Sequence, residues 1–166
     1  MSCPSNQDLP GRPVRESISE YVELALPNDA NPLGNLLGGK VMHLVDMAGS
    51  LAAARHARSA VVTASIDYMS FLHPVRIGQL LILRSSVNRA FHTSMEVGVK
   101  VIVEDLSTGQ LGHTSSAYLT FVALDNDGAP ARVPPVIPET QEEKRRYEEA
   151  CQRREHRLDL RRRLMK

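Results

Sequence analysis

Across residues 93–104 the chain alternates: Met95, Val97, Val99, Val101 and Val103 fall on one side, Glu96, Lys100 and Glu104 on the other. A period of two places the valines on one face of a β-strand and the charges on the opposite face. A looser version of the same period runs through residues 59–71. There Val62, Ala64, Ile66 and Tyr68 oppose Thr63, Ser65 and Asp67. Residues 79–90 and 112–124 are predicted as two more strands. Residues 16–26 make an imperfect one, carrying Ile18, Tyr21, Val22, Leu24 and Leu26 and stopped by Pro27. One segment has a different rhythm: from Val41 to about His56, the residues Val41, Leu44, Val45, Ala48, Leu51 and Ala52 recur at helical spacing. The order is therefore strand, helix, then four strands joined by short turns. A single apolar helix among long strands has to be covered by them. The predicted class is α+β, an antiparallel sheet wrapped around a central helix.

Both ends of the chain depart from this pattern. Residues 1–14 are polar and carry Pro4, Pro10 and Pro13, which predicts a flexible tail ahead of a domain over residues 15–128. After Gly128, four prolines between 130 and 138 enforce an extended connector over residues 129–138. Residues 139–166 then read as one charged helix with Thr140 as a candidate cap. Five acids and three bases in 139–149 give way to two acids and seven bases in 150–166. That gradient suits the helix dipole, and Glu142/Arg146 and Glu149/Arg153 are favourable i,i+4 pairs. Apolar positions are too sparse for a deep core face, so the helix is expected to pack along the outside or on a neighbouring subunit. The alternative is that Lys144, Arg145 or Arg146 meets an anionic ligand.

Composition narrows the function. At 166 residues the chain can bury one sound core, and a formal net charge of +1 argues against a general nucleic-acid or membrane binder. No apolar run approaches a membrane span, and the start lacks the apolar core of a signal peptide. Cys3 and Cys151 stand near opposite ends and cannot make a disulfide framework, which fits a reducing, cytoplasmic setting. The histidines at 43, 56, 73, 92, 113 and 156 lack metal-ligand spacing, so no metal is expected.

The candidate chemistry lies in residues 28–46. Asn28, Asp29, Asn31, Pro32 and Gly34 make a turn-rich loop that delivers the helix start at Gly38-Gly39. Free amides and the positive end of the dipole gather there, so an oxygen carrying negative charge is welcome, and glycine leaves its approach open. The competing explanation is that the two glycines only let the helix pack closely on the sheet. Asp46, two turns on, is an acid on an otherwise apolar face. Ser50 follows at i+4 and could support a water or the carboxylate, unless it simply bonds its own helix backbone.

These residues resemble a known family. Asn31, Gly34, Gly38-Gly39 and Asp46 are similar to the signature of hot-dog-fold acyl-coenzyme A thioesterases of the broad-range, brain-type group. The segments at 62–67, 71–78 and 93–97 reinforce it, as does the tail Pro134-Pro135-Val136-Ile137-Pro138 followed by Glu142 to Tyr147. The resemblance covers roughly residues 16–150 and implies a single-domain member with no cofactor, coenzyme A being part of substrate and product. It implies an oxyanion hole at Gly38 and Gly39, Asp46 as general base or nucleophile, and Asn31 as the catalytic amide rather than only the centre of an Asx turn. Met69, Phe71 and Leu72 would line an acyl channel or merely the core. Arg89, His92 and Ser94 are candidates for the coenzyme A phosphates. His43, three residues before Asp46, leaves an enoyl-thioester hydratase or dehydratase open, and a non-catalytic acyl-coenzyme A binder is the third possibility. Gly39 and Asp46 share a helix face but stand roughly 10 Å apart along the axis. A two-fold homodimer, further assembled as a trimer of dimers, would bring one chain's Asp46 to the other's helix start.

Overall fold

The computed structural model describes residues 6 and 8–164. Five strands form one antiparallel sheet: β2 (Ser19–Leu24), β3 (Ala60–Phe71), β4 (Leu80–Ala90), β5 (Ser94–Asp105) and β6 (Gln110–Leu124), in the order β2-β4-β5-β6-β3. Helix α1 (Gly38–Ala57) lies across its inner face. The alternation does the sorting. Leu81, Leu83 and Val87 of β4, Val97, Val99 and Val101 of β5, and Leu119 and Phe121 of β6 are buried against Val41, Leu44, Val45, Ala48 and Ala52 of α1.

Gly49 lies on the sheet side of α1, facing Phe121 and Val99. A methyl group there would stand 3.0 Å from the Phe121 ring. The sequence patterning passed over this glycine, because one small residue inside a helical period carries no signal of its own.

Helix α1 begins three residues earlier than the apolar period indicated, and β6 begins at Gln110 rather than 112. The first strand is shorter than expected. A 3-10 turn, Val14–Glu16, precedes β2, and Pro27–Asp29 forms another after it. The tail is not loose throughout. Arg12–Pro13 (β1) pairs in parallel with Val136–Ile137 (β7) of the proline-rich connector. Buried Asn6 donates to the carbonyls of His92 and Val133 at 2.6 and 2.9 Å. Prolines remove donors from these segments, but the remaining carbonyls and amides still pair between them. Residues 1–5 and 7 lie outside the described residues.

The charged C-terminal segment is α2 (Gln141–Leu164), closed by a reciprocal cap: Glu143 N–H donates to Thr140 Oγ1 and Thr140 N–H to Glu143 Oε2. It packs on the outer face of the sheet through arginines. Arg89 from β4 stacks on Tyr147, Arg153 on Tyr118 and Arg154 on Phe91, at 4.0, 3.8 and 4.7 Å from the ring centres. Glu96, one of the charges on the polar face of its strand, is fully buried. It accepts from Asn88 at 2.9 Å and from Arg153 at 2.8 Å. Period-two alternation correctly set Glu96 on the outer face, but it carries no sign that α2 covers it. Asp67 likewise pairs with Arg157. Cys151, read from sequence as a thiol in a reducing setting, is disulfide-bonded, and Cys3 lies outside the described residues. Among the described residues no helix is long and apolar enough to cross a membrane.

Candidate active site

The loop before α1 is held by its own backbone. Asn31 N–H donates to Asn35 C=O at 2.8 Å, and Leu36 and Ile77 amides bond Val75 and Gly34 carbonyls across the loop. Gly34, at φ +77°, makes the turn that a side chain would disfavour. Lys40 bonds Asp29 at 3.0 Å, which ties the first helical turn to the loop and raises the lysine's pKa.

Asn31 does centre an Asx turn. Its Oδ1 accepts from the amides of Leu33 and Asn35 at 2.9 and 3.2 Å. The turn and a donor role are compatible, since the turn consumes only the oxygen. Among the described residues, its Nδ2 donors meet no acceptor and stay available to a ligand.

Helix α1 starts bare. Leu37 supplies no side-chain cap, and among the described residues the amides of Gly38 and Gly39 find no acceptor. The close-packing explanation for these glycines fails on distances. A methyl group at Gly39 would meet nothing within 4 Å, and at Gly38 only the Phe71 ring at 3.5 Å, an ordinary contact. The space in front of the helix start is open. Beside it lies a cavity of about 330 Å³, walled by Asn31, Gly38 and Val41 on one side and Phe71, His73 and Pro74 on the other.

Asp46 is not in that cavity. It sits two turns along α1, partly exposed, and accepts a 2.5 Å hydrogen bond from Thr63 Oγ1 on β3. In the sequence Thr63 is only a polar position of its strand. Its signal was its occurrence in a matching segment, but nothing local pointed to a partner 17 residues away. Ser50 donates to Met47 C=O at 2.8 Å, the ordinary behaviour of a helix serine. His43 is exposed.

The remaining candidates divide. Met69 packs against the core, while Phe71 is half exposed beside Gly38. Arg89 turns to the outer face and also donates to Tyr147 C=O; His92 bonds Asn6 Oδ1 through Nδ1 at 2.7 Å. With Ser94 they frame the β4–β5 turn, outside the cavity lined by Asn31 and Gly38. One chain thus gathers Asn31 with the Gly38-Gly39 amides at the cavity, and places Asp46 with Thr63 separately from them. Among the described residues no group of His, Cys, Asp and Glu is placed to hold a metal ion.

Residues 33–110 match the thioesterase superfamily. A Bacillus subtilis protein known as the uncharacterized acyl-CoA thioester hydrolase YkhA is 44% identical over 148 residues, covering 89% of this chain and 86% of that one. Among solved structures, an apo-hexameric acyl-CoA thioesterase superposes with a TM-score of 0.88 at 44% identity, over 91% of this chain and 97% of its own. The Staphylococcus aureus acyl-CoA hydrolase, solved with butyryl coenzyme A and coenzyme A, superposes at 0.86 with 37% identity over 92% and 93% of the two chains. Alanine variants of that enzyme at an aspartate, an asparagine and a threonine have also been solved. With a helix wrapped by five antiparallel strands and this depth of identity along nearly its whole length, the chain belongs to the thioesterase superfamily, among its acyl-CoA thioester hydrolases.

Proposed function

We propose that the protein hydrolyses acyl-coenzyme A thioesters to the free acid and coenzyme A, at sites shared between two chains. The observation that carries the reading is the bare start of α1, whose Gly38 and Gly39 amides find no acceptor among the described residues beside an open cavity. A thioester carbonyl oxygen placed there gains donors that strengthen as charge develops on it. Asn31 Nδ2 is the third donor. Water attacks the carbonyl carbon and gives up a proton to Asp46; or Asp46 attacks directly and water then cleaves the anhydride. In both routes the carbon–sulfur bond breaks and the thiolate leaves as coenzyme A.

Two features support the shared site. The asparagine, aspartate and threonine varied in the Staphylococcus aureus hydrolase stand at the same spacing as Asn31, Asp46 and Thr63. Strand β3, which carries Thr63, is an edge strand of 12 residues whose free side meets no other strand of its sheet. Pairing with the same edge of a second chain satisfies that side and sets the two central helices next to each other, so that Asp46 of one reaches the donors of the other. The apo thioesterase it resembles is hexameric, which supports further assembly as a trimer of dimers.

Thiol release from acyl-coenzyme A substrates of graded chain length is the direct test. Turnover with at least one length is expected, together with no loss of enoyl absorbance in the absence of thiol. Binding without turnover at any length refutes hydrolysis, and hydration of an enoyl thioester without thiol release assigns the site to a hydratase.

A further inference from the structure

Arg145 and Arg146, two of the sequence's candidates for an anionic ligand, come together at a cavity of about 300 Å³ between α2 and the outer face of the sheet. Arg84 of β4 and Lys100 of β5, which stand opposite each other in register, line it from the sheet. Four cations border one space, and no acid is among the described residues that line it. In the neighbouring row the positions run from Ser86 through Gly98 to Tyr118, and the glycine leaves the floor open. These outer positions alternate with the buried Leu83, Val87, Val97 and Val99. The sheet itself therefore separates this cavity from helix α1 with Gly38 and Asp46.

The cations are only lightly engaged. Arg84 pairs with Glu20 at 2.7 Å, Arg145 with Glu149 at 2.7 Å and Arg146 with Glu142 at 2.5 Å, and all three carboxylates stand outside the cavity. Each arginine commits one nitrogen to its carboxylate, and exposed pairs of this kind are weak and exchange readily. Lys100 carries no ion pair among the described residues. Glu96, one row away on β5, is already engaged by Arg153 at 2.8 Å. A single carboxylate would satisfy one arginine fork and leave the rest. Linked phosphoryl groups present several charged oxygens at once, and the guanidinium fork matches their geometry. The volume is at the small end of ligand pockets, which suits a compact anion.

We propose that this cavity binds a diphosphate group, its oxygens shared between Arg145 and Arg146 of α2 and Arg84 and Lys100 of the sheet. Bound there, the diphosphate ties the start of α2 to the strands beneath it. It is either free or the end of a small molecule whose remainder lies on the open floor at Gly98, beside Tyr118. The site is independent of the hydrolytic one and needs no second chain.

Calorimetric titration and thermal unfolding of the full chain with inorganic pyrophosphate test it, against sodium sulfate at matched ionic strength. Saturable binding of pyrophosphate is expected, and the melting temperature should rise by about 5–10 °C at a hundredfold excess over the dissociation constant. Lys100→Glu and Arg146→Gln should each weaken binding about tenfold or more, with unchanged circular dichroism. Lys100 has no ion pair to lose, so its variant keeps the fold even if Arg146→Gln loosens α2. Isopentenyl diphosphate, which adds a short apolar tail, separates the two sources. Tighter binding than pyrophosphate assigns the floor at Gly98 to an organic part of the ligand; equal or weaker binding assigns the site to the free diphosphate. A wild type that does not bind pyrophosphate overturns the proposal, as does a melting shift that sulfate reproduces. Binding that Lys100→Glu and Arg146→Gln both retain in full also overturns it, since the anion then sits elsewhere, as at the start of α1.

Discussion

Thr63 gives Asp46 a hydrogen bond from a neutral donor, which orients the carboxylate without neutralising it. Hydrogen bonds to charged groups contribute about 1.5–3 kcal/mol. If that orientation matters only as the thioester reacts, Thr63→Val should lower kcat about ten- to a hundredfold with little change in KM, while Thr63→Ser stays near wild type; steady-state kinetics decides. Asn31→Ala should likewise lower kcat and spare ligand affinity, although the Asx turn it centres means that the variant's melting temperature has to be measured alongside. His56 belongs to stability rather than to catalysis. Its Nε2–H donates to Pro134 C=O at 2.8 Å, and its Nδ1 is buried with no partner among the described residues. Burial holds its pKa below the ordinary 6.5, against the opposing pull of that carbonyl, and nearby Arg12 adds to the depression. The unfolded chain therefore takes up this proton at higher pH than the folded one does. The stability tied to neutral His56 is present above about pH 6.5 and is lost as pH falls towards the folded pKa. Melting temperature should drop on that acid limb, and His56→Gln should flatten the drop. Asn31, Gly38-Gly39 and Asp46 could be singled out in the sequence because turn residues, a glycine pair and an acid on an apolar stripe are local anomalies. Thr63 and His56 could not, since their meaning comes from partners 17 and 78 residues distant.

At the scale of elements, the sheet and the central helix were readable because burial imposes a period, and the structure reproduces them to within a few residues at each end. The placement of α2 was not. Its arginines serve as cation–π partners and as the mate of Glu96, and a charged helix gives no sign of which of its charges will be buried. Arg153 keeps only 23% of its side chain exposed, Glu96 none. Removing one member of such a pair strands the other, at a cost of about 3 kcal/mol for a pair still partly reached by water. Arg153→Ala should lose that much in chemical denaturation, and adding Glu96→Gln should recover a good part of it. Across the sheet, Gly49→Ala would press a methyl into the Phe121 ring, and overpacking of this kind costs about 1–3 kcal/mol. A loss below 0.5 kcal/mol would mean that helix and ring adjust freely.

The whole molecule divides its chemistry. The Gly38-Gly39 amides and the Asp46 carboxylate lie on one helix, roughly 10 Å apart by the rise between Gly39 and Asp46, too far for one carbonyl and its attacking water. Homodimers of Asn31→Ala and of Asp46→Asn should both be nearly inactive. Mixed at equal amounts and refolded together, half the dimers are hybrids with one intact site and one doubly damaged site, so activity should return to roughly a quarter of wild type. Hybrids verified by mass yet as inactive as either parent would rule out sharing.

The 12-residue edge of β3 reaches beyond catalysis. A strand whose amides and carbonyls point outward, flanked by exposed Val62, Tyr68 and Phe71, is a template for any extended segment that meets it. In the shared-site dimer proposed above, a chain separated from its mate would therefore not be a dormant enzyme waiting to pair again. It would be an aggregation hazard, and dilution or mild warming is expected to favour precipitate as readily as monomer. Partner capture and solubility become one problem, solved by the same strand.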